Sequence, residues 1–103
     1  MTRTEIRVAE REVISTQLRN IRNDIENEMR KRTGNQRFSL CQDLIKALYG
    51  DSVITQNKRS HLSMLESGKI SFSALDVYKY MKALGFSDSK IKNEYLRIVK
   101  LCC

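Results

Sequence analysis

Four glycines, at positions 34, 50, 68 and 85, divide a 103-residue chain that contains no proline, and the segments between them space their apolar residues helically. Glycine just past the last periodic residue is the usual end of a helix, because without a Cβ it enters the left-handed region at no steric cost. Period-two alternation never persists for more than a few residues, so strands have no basis in the pattern. The spacing predicts an all-α fold of about five helices. At this length, with 41% hydrophobic residues, the chain forms one domain that buries roughly 60–70% of its unfolded surface in one modest core.

The first segment, residues 4–33, carries Ile14, Leu18, Ile21, Ile25 and Met29 at intervals of four, three, four and four, a narrow apolar seam on a charged helix. Upstream, Ile6 and Val13 are surrounded by alternating Arg3, Glu5, Arg7, Glu10, Arg11 and Glu12, so residues 1–16 are expected to be a helical or frayed arm. Ser39 and Gln42 have the spacing of a capping box, followed by the stripe Leu40, Leu44 and Leu48 with Ile45 or Ala47. Residues 51–54 have weak helix propensity and read as a turn anchored by Ile54. Ser73 with Asp76 opens a fourth helix containing Leu75, Tyr78, Met81 and Leu84. Ser87 opens a fifth, in which Ile91, Tyr95, Ile98, Val99 and Cys102 form the stripe.

The third helix, within residues 55–69, organises the rest. Leu62 and Leu65 can point inward while Gln56, Asn57, Lys58, Arg59, Ser60 and Ser63 crowd the opposite face. Thr55 is its expected N-cap, Gly68 the left-handed residue past its end, and Lys69 lies near the negative end of its dipole.

The formal charge is +7, from 19 basic and 12 acidic residues, which favours a polyanionic partner. No apolar run exceeds three residues, so neither a signal peptide nor a membrane span is expected, and a cytoplasmic protein is. Three cysteines, two adjacent at positions 102 and 103, do not make a disulfide framework and fit a reducing compartment. The chain has one histidine, no Gly-rich phosphate loop and no nucleophile signature, so no enzyme, cofactor or small-molecule substrate is expected. Cys41, His61, Cys102 and Cys103 match no zinc spacing, and His61 is expected at the rim of the core or on a phosphate. The terminal cysteine pair does not match the single-cysteine prenylation pattern. Met64 and Met81 read as core or groove-edge fillers.

The run Ser60-His-Leu-Ser-Met-Leu-Glu-Ser-Gly-Lys69, followed by Leu75, Tyr78 and Met81-Lys-Ala-Leu-Gly-Phe86, resembles the recognition-helix half of the phage-repressor and Cro type of helix-turn-helix domain. Gln42-Asp-Leu-Ile-Lys-Ala-Leu-Tyr-Gly50 is similar to its supporting helix, and Met29-Arg-Lys-Arg-Thr-Gly34 to the end of its first, so the likeness covers residues 29–86. The chain departs from the family in a longer link after Gly50 and in Ile45, where a small alanine is common, and a bulkier side chain at a close crossing pushes helices apart.

The resemblance implies a lambda-repressor-like domain over residues 17–86, with the N-terminal arm before it and a C-terminal helix over 87–103. It implies a DNA-binding transcriptional regulator, repressor or activator, of bacterial or mobile-element type. Lys58, Arg59, Ser60, Ser63 and Met64 match base-contacting positions, since a helix fits the major groove and meets distinct donor and acceptor patterns there. Asn57 and Gln42 belong with the backbone contacts, as do Arg37, Ser39, Lys69, Ser71 and Ser73. A Glu66–Arg30 ion pair is implied between the recognition helix and the first helix.

A single domain of this kind covers few base pairs, so a homodimer on double-stranded DNA is expected. Ile14 and Leu18, in a seam longer than one small core needs, or Ile91, Tyr95 and Ile98 are its expected interface. A second reading is a small helical protein-protein interaction module, an inhibitor or adaptor on the same scaffold. Salt-dependent binding to duplex DNA separates the two.

Overall fold

A computed structural model describes residues 3–50 and 55–101, with side chains from residue 11 onward. The expected turn at 51–54 with its anchor Ile54, and Ile6, Cys102 and Cys103, lie outside the described residues or side chains. The fold is all-helical: α1 (Arg3–Thr33), α2 (Cys41–Tyr49), α3 (Gln56–Glu66), α4 (Ala74–Ala83) and α5 (Asp88–Leu101). The principal contacts run α1 to α3, α3 to α2, α2 to α4, α4 to α5 and α5 back to α1, so the helices close a ring. At about 1.5 Å per residue α1 is roughly 46 Å long, which matches the longest dimension of the molecule, 46 Å.

The ring closes because each helix has an apolar face to contribute. Leu44, Ile45 and Leu48 come from α2, Leu62 and Leu65 from α3, Val77, Tyr80 and Met81 from α4, and Ile91 and Ile98 from α5. Ile45, at the position where the resembling family is small, is fully buried. Leu18 is fully buried too, and Ile14, Ile21 and Ile25 pack against the same cluster. Part of the expected dimer surface is therefore core. Of the five residues proposed for it, Leu18, Ile91 and Ile98 are 0%, 5% and 1% exposed, and Ile14 and Tyr95 lean on the core. The seam of α1 looked surplus because spacing cannot reveal that both α3 and α5 return to cover it.

Gly34, Gly50, Gly68 and Gly85 all have positive φ, as the helix-end reading requires. Gly68 is the demanding one. With φ +80° it turns the chain out of α3 while lying against α1, and a Cβ there would meet the Glu12 Cα and Cγ at 3.5 Å. The Ser73 hydroxyl accepts from Asp76 N and the Asp76 carboxylate accepts from Ser73 N, a full capping box on α4. Lys90 N donates to Ser87 Oγ at the start of α5. The expected Ser39–Gln42 capping box does not form. Leu40 is the residue preceding α2, its N–H donates at 2.8 Å to the buried Glu26 carboxylate, and the Ser39 hydroxyl accepts from Cys41 N. A side chain from α1 thus supplies the acceptor that local sequence was expected to provide.

Candidate nucleic-acid interface

Thr55 fixes where α3 begins: it is extended, and its hydroxyl accepts from Lys58 N at 3.2 Å. Leu62 and Leu65, each 2% exposed, anchor the inner face. The 100° step per residue then turns Gln56, Asn57, Arg59, Ser60, Ser63 and Met64 outward, and all six are exposed, Met64 to 43%. Lys58 is half-buried. On the edge facing α2, exposed His61 meets the Tyr49 hydroxyl through Nδ1, the rings edge-to-face at 5.3 Å, which places it at the rim of the core. Met81, in contrast with Met64, is fully buried.

Orientation of α3 is set from behind by a chain of polar side chains. Glu66, in the last turn, pairs with Arg22 of α1 and accepts a hydrogen bond from the Tyr80 hydroxyl of α4 at 2.6 Å. Arg22 also reaches Glu26 at 3.4 Å, and Glu26 holds the start of α2 through Leu40 N. One network therefore ties α1, α2, α3 and α4 together. Burial alone would pull the Arg22 guanidinium down, but the hydrogen bond and charge of Glu66 outweigh it and keep Arg22 firmly protonated. Burial first, then the Glu66 charge, raises the Tyr80 hydroxyl well above its ordinary value and keeps it a donor.

The expected Arg30–Glu66 pair is not what forms. Arg30 lies about 12 Å further along α1 than Arg22, where its guanidinium donates to the Phe38 carbonyl at 3.1 Å and to Asn27 Oδ1 at 3.2 Å. It braces the α1–α2 link, while Arg22 takes the carboxylate.

In front of the network runs a groove with two adjoining cavities. The first, about 330 Å³, is lined by Arg19, Arg22, Cys41, Arg59, Leu62, Ser63, Glu66 and Ser67. The second, about 470 Å³, is lined by Asn35, Arg37, Phe38, Ser39, Cys41, Gln42 and Arg59. They meet at Cys41 and Arg59. The groove brings together Arg37, Ser39, Gln42, Arg59 and Ser63 of the expected contacts. Asn57, Ser60 and Met64 share the outward face of α3 beside it. Lys69, Ser71 and Ser73 are exposed at the opposite end of α3, past Gly68, and do not line it; Ser73 is occupied as the cap of α4.

Arg19, Arg22 and Glu26 were missed by sequence reasoning. They are spaced by three and four residues along α1, a signal that was legible as one polar edge beside the apolar seam. Its destination was not legible, because that depends on where α3 crosses.

Among the described residues no helix is long and apolar enough to cross a membrane. Comparison with family models, with curated proteins and with solved structures finds no match to this chain.

Proposed function

We propose that the chain is a sequence-specific DNA-binding regulator, of the bacterial or mobile-element type, which lays α3 in the major groove. The observation that carries this reading is the division of α3: an inner face buried through Leu62 and Leu65, a last turn tied to α1 and α4 through Glu66, and an outer face of six exposed side chains rich in hydrogen-bonding groups. The helix-turn-helix resemblance over residues 29–86 assigns Arg59, Ser60 and Ser63 to base edges, and the net charge of +7 supplies attraction to phosphate. Arg37, Ser39 and Gln42, at the start of α2, suit the flanking backbone.

Two copies are needed for useful specificity. Tyr78 lines an apolar cavity of about 230 Å³ between α4 and α5 together with Val77, Ile91 and Tyr95, and Leu75 and Leu96 are exposed on the same two helices, so these helices offer a surface for that contact. Selection of bound sequences from a random duplex pool tests the whole reading. A recovered palindrome supports it, and a pool that stays random through successive rounds rejects it.

A further inference from the structure

We propose that the groove between α1, the first turn of α2 and α3 holds the phosphate backbone of one strand of the duplex, and that Arg19, outside every motif in the sequence, is one of its phosphate contacts. The inference rests on the DNA-binding reading and gives the backbone a path. Among the described residues, four arginines line the groove, Arg19, Arg22, Arg37 and Arg59, against one carboxylate, Glu66, which leaves a net charge of +3. Arg22 and Glu66 satisfy each other. With Arg59 left to face the bases, the surplus for phosphate is Arg19 and Arg37, whose guanidinium groups have no hydrogen-bond or ion-pair partner among the described residues. Like charges in a concave surface repel one another, and an anion lying among them relieves that repulsion.

Shape selects the kind of anion. Between Arg19 and the end of α1 at Thr33 the helix rises about 21 Å, and Arg37 lies just beyond that end. Arginines separated over that length meet several successive phosphates of one strand rather than one small anion, which suits an extended polyanion. The Ser39 hydroxyl and the Gln42 amide line the same groove, and these are ordinary phosphate ligands. Single-stranded nucleic acid is held by successive bases stacked on aromatic rings. Among the described residues Phe38 is the sole aromatic side chain lining either cavity, so the groove suits backbone rather than splayed bases.

The test uses the full chain on its selected duplex and on random duplex, with Arg19→Ala, Arg19→Lys and a control, Arg32→Ala, whose residue is exposed on α1 beside Glu28 and lines neither cavity. Arg19→Ala should lower the salt slope by about one, so that its deficit relative to wild type changes about three- to fourfold between 50 and 200 mM salt, equally on both duplexes. Phosphate-ethylation interference should lose one position in Arg19→Ala and recover it in Arg19→Lys, while Arg32→Ala keeps the wild-type pattern. Wild-type slope and interference pattern in Arg19→Ala would overturn the inference with DNA binding intact, as would equal effects of Arg19→Ala and Arg32→Ala. A wild-type chain that binds no duplex would overturn the DNA-binding reading itself.

Discussion

Tyr80 donates its hydroxyl proton to Glu66 at 2.6 Å, and through that carboxylate α4 and α1 together fix the end of α3. Side-chain exposures of 16% for Arg22 and 11% for Glu66 make this a largely desolvated pair. Removing one partner strands the other, so Glu66→Ala should cost about 2–4 kcal/mol in chemical denaturation. Tyr80→Phe, which keeps the ring packed on Phe72 at 5.4 Å and deletes one hydrogen bond, should cost about 1–2 kcal/mol. Arg30→Ala should cost less than Glu66→Ala, since Arg30 braces a link and carries no buried carboxylate.

The same hydroxyl predicts a limit at high pH. Burial and the neighbouring Glu66 charge raise the Tyr80 pKa in the folded state, while in the unfolded chain it returns to about 10. The folded state then binds the proton more tightly. Its contribution is complete below about pH 10 and is lost progressively as pH rises above that value. Unfolding free energy should therefore fall through the alkaline range, and the fall should be shallower in Tyr80→Phe; circular dichroism melts from pH 9 to 11.5 check it. The hydroxyls of Tyr49, raised by burial, and of Tyr78, raised by its hydrogen bond to Asp88, leave a residual slope in that variant.

Much of the fold was legible in the sequence because it depends on local chemistry. Gly68 had to be left-handed, Thr55 and Ser73 had to cap, and Leu62 with Leu65 had to face inward, each for reasons contained within a few residues. What sequence could not give was distance along α1. Arg19, Arg22 and Arg30 are all available to a carboxylate on α3, and the crossing point chooses Arg22. The α2 start was misread for the same reason, since Glu26 on α1 reaches Leu40 N from fourteen residues upstream. The outer face of α3 was legible, whereas the groove beside it, made by three helices, was not.

The exposure pattern separates substitutions that unfold one copy from those that would part the two copies proposed above. Leu18→Asp should unfold the chain rather than dissociate it, since the residue is fully buried in the core of one copy. Leu75, 59% exposed, and Leu96, 47% exposed, can be changed without that cost. Leu75→Glu combined with Leu96→Glu should move sedimentation from dimer to monomer while helix content is kept. A wild-type monomer at high micromolar concentration contradicts this surface.

Base readout separates the account from mere attraction between a basic chain and DNA. Arg59 is exposed in the first turns of α3, and its planar fork suits the O6 and N7 acceptors of guanine. Lys69, past Gly68 and outside the groove, can add charge without reading sequence. The decisive measurement is competition binding at fixed salt with a selected site and a random duplex. Arg59→Ala should lose about 1–3 kcal/mol on the selected site and much less on random DNA, whereas Lys69→Ala should weaken both equally and lower the salt slope by about one. Equal losses on the two duplexes for Arg59→Ala would contradict the assignment of sequence reading to this residue of α3.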